Sequence, residues 1–150
     1  MAIAASMPII FANRFEHATD GQLRTQVPSK WRPEDGKERY FVQLLEHKVA
    51  GEFLRFLPSA EAVRLRDELS RKGESDSGQE DYKRAVASEM EMVDLDSAGR
   101  VTLPETMAKA AGIGKNDKLM LTGSFGYFEV WSMDRHAKVR AADEALKNKK

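Results

Sequence analysis

The pattern of apolar and polar residues predicts short strands separated by turns in both halves of the chain. Residues 118–122 alternate as a half-buried strand does, and the glycines after them turn the chain into an aromatic strand. The predicted strands cover residues 11–18, 24–27, 40–45, 51–57, 92–95, 100–103, 118–122 and 127–131.

Helical periodicity and capping residues predict four helices between and after these strands. A serine that follows an aromatic strand is a favourable N-cap, and proline fits the first turn of a helix. The predicted helices cover residues 60–71 after the cap Ser59, residues 81–90, residues 105–111 after Pro104, and a final segment after the cap Ser132.

An internal repeat is the most informative feature of the sequence. In residues 20–28 an aspartate, an arginine, an apolar residue and a proline stand at spacings that recur 76 positions later, in residues 96–104. Downstream, residues 53–59 resemble residues 127–133. In each segment an aromatic strand leads into a serine. The sequence therefore indicates tandem duplication of one βαββ-type module.

Each copy of the repeat opens with a turn. Asp20-Gly21 is a strong signal for a two-residue hairpin of type I′, which needs positive φ at both central residues. The second turn, residues 96–99, is longer, and Gly99 can take its left-handed position. Asp20, Gly21, Asp96 and Gly99 are therefore assigned structural roles in the two turns.

The repeats define the expected domain organisation. The first repeat covers residues 9–72, and the second covers residues 92–140. Between them, residues 73–91 form an acidic linker followed by a central helix, because residues 73–78 have no apolar side chain to bury. Residues 1–8 and 141–150 are expected to be flexible ends.

Composition limits the class of protein. The 150 residues include no cysteine, so disulfides and thiolate metal sites are excluded and the reducing cytosol is the expected compartment. The longest apolar run, within residues 1–12, is far shorter than the roughly 20 residues that span a bilayer. We therefore expect a cytoplasmic protein without membrane contact.

Charge is balanced in number but not in position. The 24 basic and 24 acidic residues give no net attraction to nucleic acid. Residues 73–96 are strongly acidic, whereas residues 21–32 hold Arg24, Lys30 and Arg32 and no acid. Any surface that binds nucleic acid must therefore be local.

The sequence offers no set of residues for catalysis. The three histidines, His17, His47 and His136, lack companion ligands at metal spacing, and no phosphate-binding glycine loop follows a strand. We expect neither an enzyme nor a bound metal or cofactor. The aromatic residues of the strands are assigned to packing rather than to base stacking.

Residues 91–104, together with residues 128–131, resemble the signature of the MraZ family, and residues 83–88 resemble its central helix. The likeness covers about residues 9–140. It implies an α+β fold: a tandem-duplicated, swapped-hairpin β-barrel of the AbrB/SpoVT kind with peripheral helices. It also implies a ring-shaped homo-oligomer, an octamer or dodecamer, that regulates transcription. The expected target is double-stranded DNA with short direct repeats, in a promoter upstream of cell-division and cell-wall genes, and the expected location is the nucleoid.

The first copy of the motif departs from the family pattern. Gln22 stands where a basic residue is common, and Leu23 stands where glycine is common. An arginine often found near the first strand would fall at Ala12, and Arg14 is a displaced candidate.

The candidate DNA contacts are basic residues around the two turns. Each aspartate can pair with the arginine four residues on, yet an exposed pair is worth at most about 1 kcal/mol, so the arginine can also contact phosphate. Arg24 is favoured over Arg100 for this contact. The full candidate set is Arg14, Arg24, Lys30, Arg32 and Arg100.

Two other functions remain open from the sequence. The first is an oligomeric scaffold that has lost DNA binding, which the divergent first motif would allow. The second is an antitoxin of the AbrB fold, against which the short tail and the duplication within one chain both argue.

Overall fold

The computed structural model describes residues 8–71 and 77–149, which form an α+β structure as predicted. Most of the predicted N-terminal end and residues 73–76 of the predicted linker lie outside these residues. The elements are β1 Arg14–Ala18, β2 Arg24–Gln26, a 3₁₀ helix Ser29–Trp31, β3 Arg39–His47, β4 Gly51–Pro58, α1 Ser59–Arg71, α2 Ser77–Ser88, β5 Glu91–Asp94, β6 Arg100–Thr102, α3 Glu105–Ala110, β7 Lys118–Gly123, β8 Phe128–Ser132 and α4 Met133–Lys147.

The strands form two antiparallel sheets in which the two halves of the chain interleave. The larger sheet has the order β1-β7-β8-β4-β3-β5, and the smaller pairs β2 with β6. The repeat makes β5, β6, β7 and β8 the counterparts of β1, β2, β3 and β4. Exchanging each strand with its counterpart gives the same two strand orders, read from the other end. β1 and β2 therefore have their ladder partners in the second half rather than in each other.

The two-residue hairpin predicted at Asp20-Gly21 is wrong. The N–H of Asp20 donates to the carbonyl of Arg24 at 2.9 Å, and the N–H of Leu23 donates to the carbonyl of Asp20 at 3.2 Å. Leu23, not Gly21, has positive φ, at 61°. β1 and β2 belong to different sheets, so the turn between them leads the chain from one sheet to the other. The local preference of Asp-Gly for a hairpin is therefore not realised.

The turn at residues 96–99 has the same construction as the first turn. The N–H of Gly99 donates to the carbonyl of Asp96 at 3.0 Å, and Gly99 has φ of 77°. This confirms the left-handed position predicted for Gly99. Leu23 thus occupies the backbone position that glycine holds in the second copy.

The main core lies between the two sheets. Fully buried side chains from β4, β7 and β8 point toward the buried side of the small sheet, where Val101 is 1% exposed. Trp31 closes one end of this core: its ring stacks on Phe128 with centroids 5.4 Å apart, and its Nε1 donates to the carbonyl of Ala12. The small sheet therefore buries one face and turns the other outward.

The opposite face of the larger sheet carries α4. Phe53 and Trp131 stack with ring centroids 4.2 Å apart and form a second core cluster with Val139 of α4. The helix continues to Lys147, past residue 140 where the second repeat was expected to end. Ser132 accepts a hydrogen bond from the N–H of Arg135 at 3.2 Å, which confirms the predicted cap.

The other three helix starts differ from prediction, and α2 begins at Ser77, four residues before the predicted residue 81. α1 begins at Ser59 itself, and the carboxylate of Glu38 accepts hydrogen bonds from both the N–H and the hydroxyl of Ser59. A carboxylate distant in sequence therefore binds the first residue of this helix. Pro104 stands one residue before α3 rather than inside it, with φ of −60° and ψ of 127°.

Within residues 8–71 and 77–149, no helix has both the length and the apolar character needed to cross a membrane.

Candidate nucleic-acid interface

The small sheet is a two-stranded ribbon with one polar, outward face. Thr25 lies opposite Val101, and both are buried. Since successive residues of a strand point to opposite faces, their neighbours point away from the core. This outer face carries Arg24 opposite Thr102 and Gln26 opposite Arg100.

The two arginines of the outer face lie on a diagonal of the ribbon. Such diagonal Cα atoms are about 7–8 Å apart. Two further backbone hydrogen bonds extend the ribbon at its ends: Leu103 donates to Leu23 at 2.8 Å, and Val27 donates to Gly99 at 2.9 Å. These bonds fix the backbone at both ends of the short ribbon that carries the arginines.

Each arginine is oriented by the aspartate of its own turn. The carboxylate of Asp20 accepts from the N–H of Gln22 and of Arg24, both at 2.9 Å, and from Nε of Arg24 at 2.7 Å. The second copy repeats this arrangement, since Asp96 accepts from Nε of Arg100 at 3.1 Å. Both aspartates therefore bind the arginine four residues on in the chain.

This arrangement leaves donors available on both guanidinium groups. Only Nε of each is bound to aspartate, and among the described residues the terminal nitrogens of Arg24 and Arg100 have no protein partner. The two side chains are about one-third exposed, at 30% and 31%. Each aspartate therefore orients an arginine outward through Nε. The terminal N–H groups of the arginine remain available to donate to phosphate or guanine.

The aspartates are charged at neutral pH. Hydrogen bonds from the backbone N–H of Arg24, then from that of Gln22 and from the Arg24 side chain, lower the pKa of Asp20 to about 2. The backbone N–H of Arg100 is the main cause that lowers the pKa of Asp96. Both carboxylates therefore stay ionised and bound to the arginines across the physiological pH range.

The structure separates the other predicted bases. Arg14 lies on β1 opposite Thr122, in the larger sheet, and is not part of the ribbon face. Lys30 is exposed in the 3₁₀ helix that follows β2. The two copies are equivalent in geometry, so the structure gives no support for favouring Arg24 over Arg100.

Arg32 supports the ribbon from the side. Its Nε donates to the carbonyl of Val27 at 2.6 Å, and its Nη2 donates to Oε1 of Gln26 at 2.8 Å. The guanidinium lies against Gly99, where an added Cβ would be 2.5 Å from Cζ of Arg32. Arg32 therefore links the first motif to the turn of the second.

Sequence reasoning missed two residues of the outer face, Gln26 and Thr102. Neither residue is charged, and each lies two residues after the arginine that pairs with the aspartate of its turn. The signal was present, because these residues are also 76 positions apart and share the spacing of the repeat.

Comparison with known proteins relates this chain to a family. A protein-family model described as "MraZ protein, putative antitoxin-like" matches residues 86–150. A relative from Leuconostoc citreum is 27% identical over 82% of this chain and 81% of its own length. A relative from Symbiobacterium thermophilum is 30% identical over 82% of this chain and 84% of its own length. Both are named "Transcriptional regulator MraZ".

More distant relatives extend the match along the chain. A protein of the same name from Rickettsia africae is 21% identical over 94% of this chain and 93% of its own length. Matches of this extent include both turns of the ribbon and the strands between them. With a relative at 30% identity over most of both sequences, the chain belongs to the MraZ family.

Proposed function

We propose that this chain is a sequence-specific regulator of transcription that binds double-stranded DNA through the outer face of the β2–β6 ribbon. The observation that carries the proposal is the pair of aspartate-oriented arginines, Arg24 and Arg100, on an exposed two-stranded ribbon. The major groove of B-DNA is about 12 Å wide and admits a ribbon of this kind.

The chemistry of the face suits DNA. Terminal nitrogens of Arg24 and Arg100 can donate to phosphate oxygens, or in pairs to O6 and N7 of guanine. The polar side chains of Gln26 and Thr102 lie between and beside them. A local face of this type is compatible with a chain of zero net charge.

The proposed fold relation is the swapped-hairpin barrel of the AbrB/SpoVT kind, formed by two repeats of one chain. The interleaved strand order supports this relation, since β1 pairs with β7 and β5 pairs with β3. On this proposal the two arginines that contact DNA come from different repeats but lie on one ribbon.

We further propose that the protein acts as a ring homo-oligomer, an octamer or dodecamer, on a promoter with short direct repeats. The expected effect is repression of cell-division and cell-wall genes. An apolar groove between α1 and α2 supports self-assembly, because side chains such as Leu65, Leu69 and Met90 line it. A ring would bind repeated sites with avidity, which compensates for two arginines per subunit.

The test is a titration of the full chain against its own upstream promoter DNA at two salt concentrations. Arg24→Ala and Arg100→Ala are each expected to weaken binding, and each lowers the salt slope by roughly 0.9 if the arginine contacts one phosphate. The matched control is Arg140→Ala, an arginine that pairs with Glu144 on α4, behind the larger sheet.

Two outcomes would contradict the proposal. If wild-type protein binds neither its promoter nor any other DNA at low salt, the scaffold alternative is favoured. If Arg140→Ala weakens binding as much as the two ribbon variants, the ribbon is not the interface. Assembly is checked separately by light scattering, in which a monomer of 16.9 kDa would exclude a ring.

A further inference from the structure

The outer face of the ribbon is symmetric in its arginines but not in its other two side chains. Exchange of the two repeats carries Arg24 onto Arg100, with the same aspartate contact. The same exchange carries Gln26 onto Thr102, an amide onto a hydroxyl. The ribbon therefore presents two matched positions and two unlike ones.

The difference between the two unlike positions is built into the surrounding structure. Arg32 donates to Oε1 of Gln26 at 2.8 Å and is itself held by the carbonyl of Val27 at 2.6 Å. The residue 76 positions after Arg32 is Ala108, which is fully buried in α3 and has no side chain that could reach the ribbon. Thr102 is exposed, and among residues 8–71 and 77–149 no side chain gives it a comparable supporting contact.

The contact with Arg32 restricts what Gln26 can recognise. A free glutamine typically reads adenine with both ends of its amide, accepting from N6 and donating to N7. Here Oε1 already accepts from Arg32, which occupies one of its two lone pairs and fixes the direction of the amide, so Nε2 is the end of the amide left fully free for a ligand. A donor alone fits acceptors of the major groove, such as O6 and N7 of guanine or O4 of thymine.

Thr102 offers different chemistry at the equivalent position. Its hydroxyl can donate or accept, and its methyl group can contact the methyl group of thymine. The two ends of one ribbon would then read unlike bases, although their arginines are equivalent.

We propose that Gln26, oriented by Arg32, is a specificity-determining residue, and that it makes each subunit read an asymmetric rather than a palindromic DNA site. The inference rests on the proposed function of the ribbon. It also gives a physical reason for a preference for direct repeats, since a subunit with two unlike ends imposes a direction on its site.

The experiment is selection from a library of random double-stranded DNA by the full-length protein, followed by sequencing. Wild type is expected to enrich a site with unlike bases at the two positions that flank the arginine contacts. Gln26→Thr, which makes the two ends alike, is expected to change the base preference at one of these positions by about 2- to 13-fold, the effect of a single hydrogen bond. The other positions and the salt dependence should stay the same.

Two further variants complete the design. Thr102→Gln is the reciprocal exchange and should alter the opposite end of the site. Arg32→Ala should release Oε1 of Gln26 and move the preference at its position toward adenine. Gln26 is partly exposed, and threonine favours strands, so Gln26→Thr is expected to fold.

The outcomes separate this inference from the function on which it depends. If wild type enriches a site and Gln26→Thr enriches the same site with the same preferences, Gln26 does not read a base and the inference is overturned. If wild type enriches no sequence, the proposed function fails, and the inference fails with it. A palindromic wild-type site would also overturn it.

Discussion

Leu23 combines a strained backbone with a buried side chain, and replacing it should separate these two effects. It has φ of 61° and is 7% exposed, at the position that Gly99 holds in the second repeat. Left-handed backbone costs a residue with a Cβ roughly 1–2 kcal/mol, whereas burial of a leucine in a core is worth about 2.7–5 kcal/mol relative to alanine. Burial therefore outweighs strain, and wild type should be more stable than either small variant.

The sharper expectation concerns the order of those variants. In Leu23→Ala the strain stays, whereas in Leu23→Gly it is relieved by about 1–2 kcal/mol against an extra entropic cost of about 0.5–1 kcal/mol. Leu23→Gly should therefore be more stable than Leu23→Ala, by up to about 1.5 kcal/mol. At an ordinary strand position the order is reversed, because glycine loses more freedom on folding than alanine does.

Urea unfolding at one fixed protomer concentration measures this difference, since assembly would make stability depend on concentration. Val101, buried and extended in β6, is the matched control site, and there the alanine variant should be the more stable of the two. The reasoning is refuted if Leu23→Ala equals or exceeds Leu23→Gly in free energy of unfolding while Val101 behaves as expected.

Two further predictions concern packing and pH. Gly123→Ala should lower stability by about 1–3 kcal/mol, because the new Cβ would lie 2.5 Å from the Phe11 carbonyl carbon and the backbone there cannot yield easily. Gly21→Ala has no atom within 4 Å of its added Cβ and should change the thermal midpoint little; equal losses at both sites would contradict the packing argument. For Asp20 the folded pKa of about 2 lies below the ordinary 3.8, so its contribution to stability is full above 3.8 and is lost as pH falls toward 2. Asp20→Asn should accordingly show a shallower loss of thermal stability than wild type over that interval, and identical acid profiles would count against the interpretation.

The sequence predicted the strands and the motif well, because these depend on local patterns. Positions of apolar residues placed all eight strands to within a few residues of their observed bounds. The spacing of Asp20 and Arg24 was enough to predict their contact, since a turn of four residues brings both ends together. The same held for Asp96 and Arg100.

What the sequence could not predict is which strand pairs with which. The Asp20-Gly21 dipeptide favours a local hairpin, yet β1 finds its partner in β7 and β2 in β6. Alternation of apolar residues carries no information on pairing partners. Nor could the sequence predict that Arg32, one of the candidate DNA contacts, binds Val27 and Gln26 and supports the ribbon.

The interleaving of the two halves has a consequence for synthesis of the protein. Among the strands that the structure describes, only the hairpins β3–β4 and β7–β8 join neighbouring segments. β1 must wait for β7, and β2 must wait for β6, so the ribbon requires closure of a loop that spans about half of the chain, which is slow. A nascent chain that has emerged only as far as α2 would carry Arg24 without the strand that braces it. The arginine pair thus forms only after both halves of the ribbon have been synthesised.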